Sequence, residues 1–270
     1  MDRYALVGHP VHHSRSPLIH QLFARQTGQQ LSYELIDADR DQFEAAVKGF
    51  RAAGGKGLNV TVPHKEAAHR LADELGPEAD IAKAVNTLSF TSGKVRGDNT
   101  DGIGFMRDLE VNLGLEIKAN RVLILGAGGA ARGIVAPLLN AGPSELWIAN
   151  RTVARAIALQ REFSVYGAIQ TSNFEDLDAL DPFELVINAT SAGLKGEQPP
   201  FPGSLVDSRS VCYDMAYSLK DTPFVEWATH HGAGHAVQGW GMLVEQAAES
   251  YAIWRGLRPD TAPILQKMRR

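Results

Sequence analysis

A glycine-rich segment in the middle of the chain constrains the fold more than any other feature. The segment Gly126–Ala131 reads GAGGAA, follows the apolar run Arg121–Leu125 directly and opens a helix predicted over Ala130–Asn140. This order of strand, glycine turn and helix is the G-x-G-x-x-A fingerprint of dinucleotide binding in its required context. Glycines allow the tight turn and let backbone N–H groups approach a pyrophosphate at the helix N-terminus. A glycine-rich turn in an ordinary β-α-β unit is the weaker interpretation. The pattern therefore predicts a Rossmann-type unit.

The end of the next predicted strand indicates which dinucleotide binds. An NAD site usually places Asp or Glu there to accept a hydrogen bond from the ribose 2′-hydroxyl. This chain instead has Asn150-Arg151-Thr152, with Arg155 one helical turn later. Guanidinium groups suit a 2′-phosphate, because they donate charge-assisted hydrogen bonds in a fixed geometry. Two solvated arginines on a helix surface are the alternative. We therefore expect NADP as the cofactor.

Strand-like apolar runs alternate with helix-like patterns, which predicts an α/β protein, and the pattern changes after Gly102, where a second α/β unit follows. The length of 270 residues suggests one large or two ordinary domains. With 44% hydrophobic residues the chain can form a core, and its net charge of −4 disfavours a nucleic-acid partner. The longest non-ionic apolar stretch, Val122–Ala131, is too short for a membrane helix, and the N-terminus is unlike a secretory signal. The single cysteine, Cys212, cannot form an internal disulfide. We expect a soluble cytoplasmic protein.

Polar groups gather at predicted strand ends in the first half of the chain. Ser14 and Ser16 lie at a predicted helix N-terminus, with Ser16 as the N-cap, and suit an anionic carboxylate. Four such clusters indicate a ligand site, because ligands of open α/β sheets bind at strand ends, although any one cluster could be solvated surface. The other three are NVTVPHK around Thr61 and Lys65, AVNT with Asn86, and DNTDG with Asp101.

The remaining reactive residues do not indicate a second chemistry. Histidines cluster at positions 9–20 and 230–235, but no H-E-x-x-H or C-x-x-C motif accompanies them. We therefore expect no metal site. Cys212 lies in an apolar strand and is expected to be a buried, inert thiol.

Ten short motifs occur in one order between position 8 and about position 255: HHSRSP, NVTVPHK, AVNT, DNTDG, LILGAGGAAR, ANRT, NATSAG, YDMAY, TPFVEWA and GWGMLVEQAA. Each is weak alone, but the ordered set resembles the shikimate dehydrogenase family. The resemblance implies an N-terminal α/β substrate domain, residues 1–101, that the C-terminal helices, residues 239–270, complete. It places a Rossmann-type NADP-binding domain with a parallel sheet between them, residues 102–238, and an active site between the two domains.

The resemblance also implies roles for individual residues. Lys65 and Asp101 match the catalytic pair, and Ser14 and Ser16 match the serines that bind the substrate carboxylate. Residues that match positions holding the ring hydroxyls are Thr61, Lys65, Asn86, Asp101, Tyr217 and Gln246. Residues that match cofactor positions are Gly126, Ala127, Gly128, Gly129, Ala130, Asn150, Arg151, Thr152, Arg155, Thr190, Met215 and Gly239.

The implied reaction is the reversible NADPH-dependent reduction of 3-dehydroshikimate to shikimate in chorismate and aromatic amino acid biosynthesis. Hydride transfer to a ketone builds alkoxide character, which a lysine ammonium can stabilise and protonate. One alternative is a quinate/shikimate dehydrogenase with broader cofactor use, which an acidic residue at position 151 would favour. A second is a non-catalytic NADP-binding regulatory protein, whose signature would be the loss of Lys65 or Asp101. As partners we expect only a small-molecule substrate, with neither nucleic acid nor membrane, and a monomer or homodimer.

Overall fold

The computed structural model describes residues 1–190 and 201–268. These form two compact units, one of Met1–Phe105 with Leu243–Arg270 and one of Met106–Met242. The prolines and glycines of Gly193–Gly203 predict a loop, most of which lies outside the described residues. In the described ranges, no helix is both long enough and apolar enough to span a membrane.

The first unit contains a six-stranded sheet in the order β2-β1-β3-β5-β6-β4. Strand β1 pairs in parallel with β2 and β3, whereas β5 is antiparallel to both β3 and β6. The sheet is therefore mixed, although the alternation of elements predicted parallel sheets. Its strands are β1 (Asp2–Gly8), β2 (Leu31–Asp37), β3 (Gly57–Val60), β4 (Glu74–Leu75), β5 (Thr87–Thr91) and β6 (Lys94–Asp98).

Helices cover this sheet because their apolar residues recur at helical spacing. In α2, Phe43, Val47 and Phe50 are buried at positions i, i+4 and i+7 and pack in one core with Leu58 and Val60 of β3. The helices of the unit are α1 (Ser16–Thr27), α2 (Phe43–Ala52), α3 (Lys65–Leu71), α4 (Pro77–Ala82), α5 (Asp101–Arg107), α9 (Trp240–Arg255) and α10 (Ala262–Met268), of which α5 and α9 continue into the second unit.

The second unit contains a six-stranded sheet in the order β12-β11-β10-β7-β8-β9, and every pairing in it is parallel. This confirms the predicted Rossmann-type sheet. The residues Val122–Leu125 of β7 are fully buried, as expected for a central parallel strand. The elements are β7 (Arg121–Leu125), α6 (Gly129–Asn140), β8 (Glu145–Ala149), α7 (Val153–Phe163), β9 (Gln170–Ser172), β10 (Leu185–Asn188), β11 (Val211–Asp214), α8 (Pro223–His230) and β12 (His235–Gln238).

Several element boundaries differ from the sequence prediction. Ser16 is the first residue of α1 rather than its N-cap, which is Arg15. The sequence pattern predicts a helix over Lys65–Leu75, but the helix that begins at Lys65 ends at Leu71, because β4 pairs with β6 beyond it. The pattern also predicts a connecting helix over Ile103–Leu113; in the structure it begins at Asp101 and becomes a π-helix over Asp108–Asn112.

Candidate active site

A lysine and an aspartate form a mostly buried ion pair in the first unit. Lys65 is the first residue of α3 and Asp101 the first of α5. Their Nζ and Oδ2 atoms lie 2.6 Å apart, and the two side chains are 20% and 9% exposed. Asn86 donates a hydrogen bond to the second oxygen of Asp101, Oδ1, over 3.0 Å. The carboxylate is therefore held from both sides, and the ammonium keeps a route to solvent.

The turn before Lys65 is fixed by a buried histidine. His64 is 1% exposed, its Nε2 lies 2.7 Å from the Ala38 carbonyl oxygen, and its ring stacks on Phe43 at 4.6 Å. The His64 backbone N–H donates to the carbonyl of Thr61, which immediately follows β3. These contacts hold Thr61 and Lys65 in one short turn at the end of the strand. Sequence reasoning did not single out His64, although it lies inside the motif NVTVPHK.

Asn86, just before β5, and Gln246, on α9, are linked through Thr100 where α5 and α9 approach closely. The Asn86 amide lies 3.3 Å from Gln246 Oε1 and donates to Thr100 Oγ1 over 2.8 Å. Thr100 in turn donates to the Gln246 carbonyl over 3.0 Å. A Cβ at Gly104 would lie 2.5 Å from the Gln246 backbone nitrogen, so only glycine permits this approach of α5 to α9. Thr100 was also missed at the sequence level.

Ser14 and Ser16 form a separate hydroxyl pair with Oγ atoms 3.2 Å apart, and Ser14 Oγ accepts from the Ser16 backbone N–H. The Tyr33 hydroxyl donates to Asn59 Oδ1 over 2.7 Å. Burial raises the pKa of Tyr33 well above its usual value, and a hydrogen bond with Ser16 offsets part of that rise. The Asn59 amide then donates to the Asn86 carbonyl. Two further residues thus connect the serine pair to Asn86. An asparagine inside an apolar strand was the available signal for Asn59.

Tyr217 belongs to the second unit, where its ring lies 4.7 Å from that of Trp240. The other residues expected to bind substrate all lie in the first unit, at Ser14, Ser16, Thr61, Lys65, Asn86, Asp101 and Gln246.

The glycine turn of the second unit has the shape that a pyrophosphate requires. Gly126 has φ +107°, and a Cβ there would lie 3.1 Å from the backbone of Ala189. A Cβ at Gly128 or Gly129 would instead enter open space at the N-terminus of α6. No side chain in the described part of the chain caps this helix end. The backbone from Gly126 to Ala130 therefore fits a dinucleotide phosphate.

The residues after β8 lie beside this turn. Asn150 accepts from the Ala127 backbone N–H over 3.2 Å and donates to the Thr152 carbonyl over 2.8 Å. Arg151 and Arg155 are both exposed, on either side of the first residues of α7. Two exposed guanidinium groups beside the phosphate turn fit a 2′-phosphate.

Thr190, Met215 and Gly239 follow the carboxyl ends of β10, β11 and β12. Met215 donates its backbone N–H to the Asn188 carbonyl, and Gly239 donates to the Ala216 carbonyl. A Cβ at Gly239 would lie 2.6 Å from the Met215 carbonyl oxygen. Glycine thus allows these two loops to approach each other.

Among the described residues, no group of three or more His, Cys, Asp or Glu side chains has the geometry of a metal site. Cys212 is fully buried, and burial raises its pKa to about 12, so the sequence interpretation of a buried thiol is confirmed.

Three family models match the chain: the shikimate dehydrogenase substrate binding domain over residues 6–88, shikimate / quinate 5-dehydrogenase over residues 109–195, and the shikimate 5′-dehydrogenase C-terminal domain over residues 239–269. The shikimate dehydrogenase (NADP(+)) of Alkalilimnicola ehrlichii is 53% identical, over 99% of this chain and 98% of that protein.

Two solved structures extend the comparison. The Ael1 enzyme from Pseudomonas putida is 47% identical with a TM-score of 0.91, over 99% of this chain and 98% of that one. The shikimate 5-dehydrogenase from Thermus thermophilus, in complex with NADP(H) and shikimate, is 35% identical with a TM-score of 0.89, over 100% of this chain and 99% of that one. The chain therefore belongs to the shikimate dehydrogenase family.

Proposed function

We propose that this protein catalyses the reversible NADPH-dependent reduction of 3-dehydroshikimate to shikimate. The observation that carries the proposal is the Lys65–Asp101 pair, 2.6 Å apart and held by Asn86 at a strand end of the first unit. Reduction of a ketone needs a group that stabilises and protonates the developing alkoxide, and an ammonium that keeps partial access to solvent meets that need. Both residues are present, which argues against a regulatory protein that has lost activity.

Lys65 and Asp101 divide the proton chemistry between them. The Lys65 ammonium faces the developing negative charge on the substrate oxygen and supplies a proton to it. Asp101 orients that ammonium and accepts a hydrogen bond from the neighbouring substrate hydroxyl. Asn86 fixes the Asp101 carboxylate through Oδ1, which leaves Oδ2 for the lysine. The pair acts as a unit, so we expect the loss of either member to affect the reaction step.

The other candidate site residues of the first unit hold the substrate. Ser14 and Ser16 present two hydroxyls, which we assign to the substrate carboxylate. The ring hydroxyls are assigned to Thr61, Asn86 and Gln246, together with Tyr217 from the second unit.

The second unit holds NADP, which when bound supplies or accepts the hydride. The backbone of Gly126–Ala130 receives the pyrophosphate at the N-terminus of α6, and Asn150–Thr152 with Arg155 receive the 2′-phosphate. Thr190, Met215 and Gly239, at the ends of the strands on the opposite side of β7, are assigned to the nicotinamide half. Residues 1–101 with 239–270 accordingly supply most of the substrate contacts and residues 102–238 most of the NADP contacts, with Tyr217 and Gly239 as the exceptions. A cytoplasmic monomer or homodimer remains our expectation.

A spectrophotometric assay tests the proposal. Purified protein is incubated with shikimate or quinate and with NADP or NAD, and the nicotinamide absorbance is followed. We expect rapid reduction of NADP with shikimate, with much slower reactions of quinate and NAD. Turnover of quinate with NAD at a comparable rate would favour the broader dehydrogenase instead. Absence of turnover with every pair, in protein that binds NADPH, would contradict the proposed enzyme.

A further inference from the structure

A fully buried carboxylate ends strand β11 in the second unit. Asp214 is 0% exposed and accepts three hydrogen bonds, from Asn188 Nδ2 at 3.0 Å, the Ala216 backbone N–H at 3.1 Å and Thr222 Oγ1 at 2.5 Å. Thr222 Oγ1 itself accepts from the Val225 backbone N–H, so its own hydrogen points to Asp214. Three donors directed at one carboxyl group match an ionised carboxylate, which can only accept.

No cation among the hydrogen-bond partners of Asp214 in the described residues balances the charge of this carboxylate. Its partners in the described residues are an amide, a backbone N–H and a hydroxyl, none of which carries a positive charge. Burial raises the pKa of Asp214, and the three hydrogen bonds counteract that effect. A buried ion without an opposite charge is costly, and an asparagine would accept two of the three bonds, those from Asn188 and Ala216, through its one oxygen without carrying a charge. A negative charge at this point therefore suggests a use for the charge itself.

The position of Asp214 in the sheet indicates that use. The glycine turn Gly126–Ala130 follows β7. The residues proposed for the 2′-phosphate follow β8, which lies on one side of β7. Strands β10 and β11 lie on the other side of β7. A dinucleotide in such a sheet crosses the carboxyl ends of the strands at the point where the strand order reverses, so its nicotinamide half belongs to the side of β10 and β11. Asn188 and Asp214 are the last residues of these two strands.

We propose that the negative charge of Asp214 stabilises the oxidised nicotinamide ring of bound NADP over the reduced ring. The oxidised ring carries a positive charge and the reduced ring is neutral, so a nearby buried anion attracts only the former. Asp214 thus acts on the nicotinamide ring through its electric field. The inference rests on the proposed binding of NADP by this unit.

The test compares the affinities of the two cofactor forms. NADPH is titrated by its fluorescence and NADP by competition against NADPH, with wild-type protein and Asp214→Asn. The variant keeps the acceptor for Asn188 and Ala216 but removes the charge. We expect the Kd of NADP to rise about three- to tenfold. The Kd of NADPH should stay within about twofold, because the neutral ring gains nothing from the charge.

Two matched variants separate charge from loop structure. Asp221→Asn removes an exposed carboxylate seven positions further along the chain, and we expect it to change neither Kd. Thr222→Val keeps the charge but removes one donor, so both Kd values should change by the same factor. If Thr222→Val shifted the ratio of the two Kd values as Asp214→Asn does, loop structure would explain the effect and the inference would be wrong.

Thermal unfolding shows whether Asp214→Asn is folded. If it is not, Asp214→Ser removes the same charge and leaves room for a water molecule on the three donors, and the same ratio is measured. An unchanged ratio of Kd values in a folded variant overturns the inference. Failure of the wild-type protein to bind NADPH would instead overturn the proposed cofactor, which the first titration shows directly.

Discussion

The ammonium of Lys65 contacts one carboxylate and keeps a fifth of its side chain exposed. If it stabilises charge that forms only in the transition state, Lys65→Met should lower kcat far more than it weakens shikimate binding. General acid–base help is typically worth about 10²–10⁴-fold, so we expect a loss in that range. Steady-state kinetics give kcat, and a fluorescence titration gives shikimate affinity. Lys48→Met, at an exposed lysine of α2, is the control and should leave both unchanged. Turnover within a few-fold of wild type would refute the role.

A second residue-scale prediction concerns the selection of NADP. Arg151 is exposed beside the phosphate turn, and its proposed partner is a 2′-phosphate that NAD lacks. Arg151→Ala should therefore raise the KM for NADP about tenfold or more, as expected for the loss of a charge-assisted hydrogen bond. The KM for NAD should change little. Arg161→Ala, at the exposed far end of α7, is the matched control. Equal weakening of both cofactors would contradict the assignment.

Some residues of the site were accessible from sequence and others were not. Lys65 and Asp101 lie in motifs whose order resembles a known family, so both were named. Tyr33 and Asn59 act through buried hydrogen bonds between β2 and β3, and such a link depends on strand pairing that no local pattern encodes. The N-cap position predicted for Ser16 was wrong, because α1 begins one residue earlier than the sequence pattern indicates.

The N-terminus of α6 allows a test that separates binding from folding. A Cβ at Gly129 would meet open space, and Gly129 is the first residue of the helix. Gly129→Ala should leave stability unchanged or raise it by about 0.4–1 kcal/mol, because alanine lowers the entropy of the unfolded chain. It should nevertheless weaken NADPH binding, since the added methyl group occupies the space proposed for the pyrophosphate.

Gly49→Ala provides the control for this effect. Gly49 lies inside α2, and a Cβ there also meets open space. This variant should show the same gain in stability in urea unfolding and an unchanged Kd for NADPH by fluorescence titration. NADPH affinity that is equal in both variants and wild type would show that the phosphate lies elsewhere.

A helix or strand could be predicted from the sequence where its own residues determine it, and was missed where pairing with a distant strand determines it. Strand β7 and helix α6 were predicted because an apolar run specifies the strand and the glycine turn with the residues after it specifies the helix. Strands β9 and β12 have three and four residues and were missed, since at the two edges of the sheet pairing with one neighbour defines them. The early end of α3 at Leu71 likewise follows from the pairing of β4 with β6.

At the scale of the whole molecule, the length left one or two domains open and the alternation of elements indicated a second α/β unit; the structure contains two compact units. The return of the C-terminal helices to the first unit was different. Nothing in the periodicity of α9 shows which sheet it covers, because an apolar helix face fits either core. Only the resemblance of the ordered motifs implied that return. Long-range placement of this kind depends on complementary surfaces, which one sequence does not reveal.

The stability of the folded molecule should depend on pH through a buried histidine of α1. His20 is fully buried, stacks on Tyr33 at 4.2 Å, and neither ring nitrogen has a hydrogen-bond partner in the described residues. Burial lowers its pKa from 6.5 to about 3, and the facing Asn59 offsets this only in part. Between pH 6.5 and pH 3 the unfolded chain therefore binds a proton at His20 that the folded protein does not. The unfolding free energy thus has its full His20 contribution above pH 6.5 and loses it as the pH falls towards 3.

The expected loss from His20 is about 3 kcal/mol between pH 6.5 and pH 4, because each pKa unit corresponds to about 1.4 kcal/mol. His20→Phe keeps an aromatic ring against Tyr33 and removes the titration, so its unfolding free energy should fall less over this interval. Urea unfolding at several pH values measures the difference. His235→Phe, at an exposed histidine of β12, should keep the wild-type pH dependence. If His20→Phe lost as much stability as wild type on acidification, other titrating groups would account for the acid sensitivity and the buried imidazole would not.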